Sequence, residues 1–175
     1  RRLLMLYTRQ YTSPAGQLML GVDSTTEALC LCDWIDNRHY DCNMRKLAAA
    51  VGPIAPDPES AAMAEVVSQL DQYFASKRTA FDLKTGAVGT PFQHRVWDVL
   101  VAIPYGTTMS YGAVARAAGC PRGFQAVAAA VGANPISIIV PCHRVIGSDG
   151  SLTGFAGGLA AKMKLLELEA SNIKQ

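Results

Sequence analysis

The strongest candidate for chemistry in this sequence is the tetrapeptide Pro141-Cys142-His143-Arg144. A thiol is a weak nucleophile until it loses its proton, and a nearby base or positive charge lowers its pKa. Cys142 is followed at once by His143, which can serve as a base, and then by the cationic Arg144. Adjacent residues of an extended chain point in opposite directions, so His143 reaches the sulfur only if the chain bends here. On the tetrapeptide alone, a nucleophilic thiol and a buried structural cysteine at a strand end both remain open.

The segments around the tetrapeptide predict how it is held. The apolar run 136–140 predicts a buried extended segment that leads into it, and the glycine-rich stretch 147–158 predicts a loop that follows it. A closing helix is predicted over about 159–170. Earlier in the chain, Thr90 as N-cap and a proline at the next position predict a helix that continues to about residue 103.

Two short helices are predicted between these elements, over 110–118 and 121–131, with Gly119 in the turn that joins them. This outline fits a DNA-binding helix-turn-helix, but taken alone it favours an ordinary helical hairpin packed in a core. The second helix carries alanine at positions 126, 128, 129 and 130, which leaves little to bury. A slim helix of this kind favours insertion into a DNA groove.

The first part of the chain predicts a small antiparallel sheet with helices against it. Residues 52–58 contain three prolines and predict a loop. The predicted strands cover 3–11, 17–22 and 27–34, and the predicted helices cover 39–51 and 60–75. Together with a mainly helical second part, this gives a mixed α+β fold of two domains, 1–85 and 86–175.

The composition is that of a globular protein, because half of the 175 residues are hydrophobic and 17% are charged. The longest apolar stretches are too short to span a bilayer, so we expect a cytoplasmic protein, nucleoid-associated if bacterial. The net charge of +2 includes no polybasic tail. Residues 1–85 carry nine basic and ten acidic side chains, whereas 86–175 carry seven and four. This imbalance permits DNA binding without requiring it.

The five cysteines stand at 30, 32, 42, 120 and 142, and this odd, irregular set argues against a disulfide framework. Cys30, Cys32, His39 and Cys42 raise the alternative of a zinc site. The Cys-x-Cys spacing, however, predicts two thiols on one face of a strand, and tight zinc sites use gaps of about two to four residues between paired cysteines. We therefore expect no metal.

The hexapeptide Pro141-Cys142-His143-Arg144-Val145-Ile146, preceded by Asn134-Pro135, resembles the active-site signature of the O6-alkylguanine-DNA alkyltransferases. The resemblance is strong over about residues 86–170 and holds only in outline over 1–85. The helix before the family's DNA-binding motif is resembled by Gly89-Thr90-Pro91-Phe92-Gln93 with Val96-Trp97. The start of its helix-turn-helix is resembled by Ile103-Pro104-Tyr105-Gly106 with Met109-Ser110-Tyr111-Gly112. Its active-site loop is resembled by Leu152-Thr153-Gly154-Phe155-Ala156-Gly157-Gly158.

The resemblance implies a role for individual residues. Cys142 would accept the alkyl group, His143 would be its base through a bridging water, and Glu169 would polarise the histidine as in a catalytic triad. Asn134 would hold the turn between the DNA-binding helix and the active site, and Tyr111 would help to rotate the target nucleotide and to neutralise the leaving guanine. Arg144 would fix the active-site turn. The remaining implied residues line the substrate pocket (Ser137, Val140, Phe155, Ala156) or bind DNA (Ser110, Tyr111, Arg122, Phe124, Gln125, Ala126).

The family's activity implies repair of alkylated DNA by direct reversal. A base flipped out of the duplex would give its alkyl group to Cys142, and the thioether so formed would end the protein's activity after one event. The substrate would be O6-alkylguanine, and O4-alkylthymine as well, in double-stranded DNA bound through its minor groove by a monomer, with no metal or organic cofactor. Two alternatives are a lesion sensor without chemistry, whose members lack the cysteine, and a cysteine hydrolase, which needs an oxyanion hole that the sequence does not signal.

Two positions depart from the family's pattern. An arginine of the recognition helix normally fills the gap left by the flipped base, and Gln125 stands there in this chain. Glutamine lacks the charge and the flat guanidinium, so we expect weaker engagement of DNA, which Arg122 or Phe124 could offset as a wedge. Phe155 stands where a tyrosine is common and removes one hydroxyl from the pocket.

Overall fold

A four-stranded sheet flanked by two helices forms the first part of the chain in the computed structural model, which describes residues 4–174. The strand order is β3-β2-β1-β4, in which β1 and β3 run antiparallel to β2. The predicted antiparallel sheet with helices is confirmed, although Leu3, where the first strand was expected to begin, lies outside the described residues. The elements are β1 (Leu6–Ser13), β2 (Gly16–Asp23), β3 (Leu29–Trp34), α1 (Tyr40–Val51), β4 (Ile54–Pro56) and α2 (Ala61–Phe74).

The proline-rich stretch 52–58, which was expected to be a loop throughout, contains the short strand β4. This strand runs parallel to β1, with Leu6 opposite Ile54 and Thr8 opposite Pro56. The prediction was wrong because β4 is an edge strand. Such a strand is paired on one side only and therefore tolerates prolines.

A bulge in β3 contradicts the expectation that Cys30 and Cys32 share one face. Gly21 pairs with Leu31 and Val22 with Leu29, so one extra residue is inserted between them. Cys30 packs in a small cluster between the sheet and α1, whereas Cys32 lies in the main core. Within residues 4–174, no group of three or more His, Cys, Asp or Glu side chains is placed to hold a metal ion.

The second part is mainly helical. Its elements are α3 (Pro91–Val101), β5 (Met109–Ser110), α4 (Tyr111–Ala117), α5 (Phe124–Gly132), a 3-10 turn (Cys142–Arg144), β6 (Val145–Ile146) and α6 (Leu159–Ile173). Thr90 caps α3 as predicted, in a reciprocal capping box with Gln93. No helix among the described residues is long and apolar enough to cross a membrane.

The second of the paired short helices begins three residues later than predicted. The backbone N–H of Gly123 donates to the Cys120 carbonyl over 2.9 Å, which closes a turn with Pro121 and Arg122 at its centre. Arg122 therefore lies in the turn between α4 and α5 and not on α5 itself.

The apolar run 136–140 is buried as predicted, but it is a tight turn and not an extended strand. Ile138 has a φ of 74° and the Val140 N–H donates to the Ile136 carbonyl over 3.0 Å. A β-branched residue rarely adopts this conformation, so the surrounding structure must impose it. One cause is the Asn134 side chain, whose amide donates to the Val140 carbonyl over 2.8 Å and draws the chain back.

The sheet and the turn are joined directly. The N–H of Cys32 in β3 donates to the Pro135 carbonyl, and the N–H of Ser137 donates to the Cys32 carbonyl, each over 2.9 Å. One apolar core then continues from the sheet through α2 to α3, α5 and α6. The first part of the chain thereby supports the segment that leads into Cys142.

Candidate active site

Cys142 begins a 3-10 turn, so the bend that His143 needs in order to reach the sulfur is present. Cys142 is only 7% exposed and lies at the base of a narrow cleft of about 10 Å³, roughly the room of one water molecule. The wall residues of this cleft include Asn134, Ser137, Phe155 and Ala156. The structure therefore gathers the nucleophile, the predicted turn residue and three of the four predicted pocket residues in one place.

Burial raises the pKa of the Cys142 thiol, and this effect outweighs hydrogen bonds from Asn134 and Ser137 and the nearby charge of Lys162, which lower it. The thiol is therefore protonated at neutral pH. A buried thiol of this kind becomes a nucleophile only when a base removes its proton.

His143 is the candidate base, and its environment fixes its tautomer. Its Nε2 lies 2.7 Å from Oε2 of Glu169. An ionised carboxylate only accepts hydrogen bonds, so the proton of the neutral ring sits on Nε2 and Nδ1 carries a lone pair. Nδ1 is buried and has no hydrogen-bond partner among the described residues. Burial lowers the pKa of His143, against the opposing effect of Glu169, so the ring is neutral at neutral pH and its Nδ1 is free to accept a proton.

Glu169 on α6 is the centre of a buried hydrogen-bond network. Its carboxylate accepts from His143, from Nε and Nη2 of Arg144 over 2.8 and 3.1 Å, from the Tyr73 hydroxyl over 2.6 Å and from the Gly106 N–H over 3.2 Å. Burial alone would raise the pKa of this carboxyl, but the hydrogen bonds from His143 and Arg144 outweigh it and lower the pKa to about 2. The carboxylate is ionised whenever the protein is folded near neutral pH.

The Nη1 of Arg144 also donates to the Ile103 carbonyl over 2.7 Å, which joins the 3-10 turn to the segment that follows α3. Tyr73 is a member of the network that sequence analysis missed. Tyr73 lies on the buried face of α2, but no pattern in the sequence indicated its partner 96 positions later in the chain.

Lys162 on α6 is a second residue that was missed. It is completely buried, and its ammonium donates to the carbonyls of Val145 over 2.6 Å and Thr153 over 2.9 Å, which join the active-site turn to the glycine-rich loop. A signal for it was present in the sequence: Lys162 lies three positions before Leu165 and seven before Glu169, on the inner face of the helix. A lysine at a core position needs hydrogen-bond acceptors or an opposite charge around its ammonium.

Both parts of the chain match models of known protein domains. The model of the 6-O-methylguanine DNA methyltransferase DNA-binding domain matches residues 91–171, and that of the family's ribonuclease-like domain matches residues 6–86. This chain belongs to the 6-O-methylguanine DNA methyltransferase family. The resemblance inferred from the motifs around Cys142 is thereby confirmed.

Relatives match this family member over nearly its whole length. The methylated-DNA–protein-cysteine methyltransferase of Mycobacterium leprae is 45% identical over 170 residues, covering 97% of this chain and 95% of the relative. That of Mycobacterium bovis is 50% identical over 171 residues, covering 95% and 94%. Among solved structures, Mycobacterium tuberculosis OGT in complex with DNA has a TM-score of 0.80 and 41% identity, covering 95% of this chain and 94% of that one.

The glycine-rich loop of this methyltransferase-family chain rests on the sheet of the first part. Trp34 of β3 meets the Phe155 ring edge-on, with centroids 5.7 Å apart. A methyl group on Gly157 would lie 2.5 Å from a Trp34 ring atom, so the loop and the indole are in close contact. Phe155 therefore has a fixed support behind it where it lines the Cys142 cleft.

Val140 is the predicted pocket residue that the structure does not bring to the wall of the Cys142 cleft. It lies on a neighbouring cleft with Pro141 and Arg144. The physical reason is the chain reversal at Ile138, which replaces the expected straight segment.

The predicted DNA-binding residues lie together at the ends of α4 and α5. Ser110 caps α4 by accepting the N–H of Ala113 over 3.1 Å, and Tyr111 is mostly buried at the first position of that helix. The Tyr111 ring lies 5.9 Å from the Phe124 ring, which is 54% exposed at the start of α5. The other predicted residues, Arg122, Gln125 and Ala126, are exposed beside it. Tyr111 is not one of the described residues that line the Cys142 cleft.

Proposed function

We propose that this protein repairs DNA by moving the alkyl group of O6-alkylguanine in double-stranded DNA onto Cys142 in a single, irreversible event. The observation that carries the proposal is the buried Cys142 thiol beside a neutral His143, whose Nε2 is held by Glu169 and whose Nδ1 is unpaired among the described residues. The relatives' names and the DNA complex of a 41% identical structure support DNA as the partner.

The proposed reaction begins with proton transfer. The Cys142 thiol gives its proton through a bridging water to Nδ1 of His143, and Glu169 stabilises the imidazolium that forms. The thiolate then attacks the alkyl carbon in line with the bond to O6, a carbon–sulfur bond forms, and the carbon–oxygen bond breaks. Its electron pair goes to the guanine, which recovers the proton with help from the Tyr111 hydroxyl. The products are guanine and an S-alkylcysteine, so no metal or organic cofactor takes part.

The cleft beside Cys142 is too small for a purine, at about 10 Å³, so we propose that the loop residues which line it shift when a base enters. We propose that residues 86–175 bind the minor groove through α5 and that Tyr111 turns the target nucleotide out of the stack. Phe124 would act as the apolar wedge beside Gln125, which its exposure at the first turn of α5 supports. Residues 1–85 would act as a supporting domain, and the protein would work as a monomer in the cytoplasm.

The test is the intact mass of the protein after incubation with a duplex that contains one O6-methylguanine. A gain of one methyl group, located on Cys142 and absent from a Cys142→Ala variant, supports the proposal. A duplex with O4-methylthymine tests the second substrate in the same way. Binding of the modified duplex without any gain in mass would instead favour a lesion sensor.

Failure of DNA engagement can be separated from failure of chemistry by offering the free base O6-benzylguanine. Labelling of Cys142 by the free base, with no transfer from the duplex, would place the defect in the contacts made by Gln125 and its neighbours. No labelling by either substrate would overturn the proposed transfer.

A further inference from the structure

Tyr73 connects the first part of the chain to Glu169, the centre of the buried hydrogen-bond network. Its hydroxyl donates to Oε2 of Glu169 over 2.6 Å, and both side chains are almost fully buried. Burial, and then the negative charge of Glu169, raise the pKa of Tyr73 far above its usual range. The hydroxyl therefore stays protonated and remains a donor at every pH at which the protein is folded.

The Tyr73 ring is buried and packs against three aromatic rings. Its centroid lies 5.1 Å from that of Phe74, 5.5 Å from that of Phe81 and 6.3 Å from that of Tyr105. A donor held by packing on several sides loses little entropy when it forms its hydrogen bond. The contact with Glu169 is therefore preorganised by the first part of the chain.

The oxygen that Tyr73 contacts is the same oxygen that faces the imidazole, since His143 Nε2 also lies 2.7 Å from Oε2 of Glu169. Arg144 binds both carboxylate oxygens and fixes the plane of the group. The specific contribution of Tyr73 is thus to withdraw negative charge from Oε2. Less charge there stabilises the imidazolium less, which keeps His143 neutral and able to accept a proton.

We propose that Tyr73 is a positioning residue for alkyl transfer, which acts through Glu169 to hold His143 in the form that accepts the thiol proton. The inference rests on the proposed function, because it assigns a part in that reaction to a residue of the first domain. Residues 1–85 then contribute directly to the chemistry in addition to supporting the fold.

The test is the single-turnover rate of Cys142 labelling by O6-benzylguanine across the pH range in which the protein is folded, for the unaltered protein and Tyr73→Phe. Without the hydroxyl, Oε2 holds more charge and the pKa of His143 rises. The rising limb of the pH profile should move to higher pH by about one unit, so that the rate at a given pH on that limb falls about tenfold, the size of one lost hydrogen bond to a charged group.

Tyr11→Phe is the matched control. It also removes a tyrosine hydroxyl that donates over 2.6 Å to a carboxylate, Asp71 of α2, but it leaves Glu169 untouched. A purely structural loss should affect both variants alike in thermal stability. Only Tyr73→Phe should shift the pH profile.

Replacement of Tyr73 by 3-fluorotyrosine gives a second test that preserves the shape of the side chain. The fluorinated phenol is a stronger donor, so the limb should move in the opposite direction, to lower pH. A profile that stays in place with both replacements overturns the inference while the proposed function stands. If the unaltered protein is labelled neither by O6-benzylguanine nor by the O6-methylguanine duplex, the proposed function and this inference fail together.

Discussion

Replacement of Glu169 by glutamine tests the buried hydrogen-bond network at its central residue. The substitution keeps the size of the side chain but removes the charge that binds the buried Arg144 and polarises His143. The amide nitrogen that replaces one oxygen is itself a donor, and it would face the donors of Tyr73, Arg144 or His143. The variant would therefore leave a buried cation without its partner and at least one donor unsatisfied.

The size of the effect on the free energy of unfolding can be obtained in two independent ways. Breaking a buried ion pair by removing one partner costs about 3–5 kcal/mol. The pKa of Glu169 falls from its ordinary value of 4.5 to about 2 in the folded protein, which corresponds to roughly 3 kcal/mol of stability near neutral pH. The two values agree, and we expect Glu169→Gln to lose about 3–4 kcal/mol at pH near 7.

The difference in stability between the two proteins should also depend on pH. A lowered carboxyl pKa gives stability that is complete above the unfolded value of 4.5 and is lost as pH falls towards about 2. The difference in the free energy of unfolding between the unaltered protein and Glu169→Gln should therefore become smaller below about pH 4.5. His143, whose pKa is lowered by burial, adds a loss of stability below its ordinary value of 6.5 in both proteins.

The assay is urea unfolding at a series of pH values, followed by circular dichroism. Glu167→Gln is the control, since Glu167 is an exposed glutamate of the same helix. It should change stability by less than about 0.5 kcal/mol. A loss below about 1 kcal/mol for Glu169→Gln, or a loss that does not change with pH, would refute the account of Glu169 as the ionised centre of the network.

Three further substitutions test the loop, the DNA contact and the buried lysine. In Gly157→Ala the added methyl group should collide with Trp34 and lower stability in thermal melts by about 1–3 kcal/mol. Gly154→Ala is the control, because a methyl group at this position of the same loop meets nothing within 4 Å. Equal losses in the two variants would contradict the close packing of the loop against the indole. Gln125→Arg should accelerate repair of an O6-methylguanine duplex about tenfold and leave labelling by free O6-benzylguanine unchanged; equal duplex rates would disprove the weakened contact. Lys162→Met should raise the pKa of the Cys142 thiol and slow its labelling by O6-benzylguanine about tenfold. An unaltered pH profile of labelling would show that the Lys162 ammonium does not act on the sulfur.

Some of the site residues that sequence analysis named, and that the structure brings together, lie close along the chain, whereas Glu169 lies 26 positions from His143 and was named from the family resemblance. Cys142 and His143 stand side by side, and Asn134 is eight positions from the nucleophile. Their types and spacing allow a nucleophile beside a base, but the preference for this over a structural cysteine, and the role of Asn134, came from the family resemblance. The capping of α3 by Thr90 was predictable from the sequence alone, since a capping box involves four consecutive residues.

The features that the sequence did not reveal depend on tertiary neighbours. The run 136–140 is rich in β-branched residues, which favours a strand, but the Asn134 amide and the pairing with β3 impose a turn on it. The bond from Tyr73 to Glu169 joins positions 96 apart, and hydrophobic periodicity reports only that each side chain faces inward. Patterns along the chain predict burial; they do not predict which buried groups meet.

The raised pKa of Cys142 agrees with the proposed single use of the thiol. A protonated, buried thiol reacts slowly with oxidants and with alkylating agents in solution, because the thiolate is the reactive form. Once formed, the thiolate of a more basic thiol is also the stronger nucleophile. A depressed pKa would make the sulfur reactive at all times, whereas the proposed transfer of the Cys142 proton to His143 would form the thiolate only when the proton can be passed on. The hydrogen bond from Tyr73 to Glu169 then sets how readily His143 takes that proton, which is why its removal should alter the pH dependence of the reaction more than the stability of the fold.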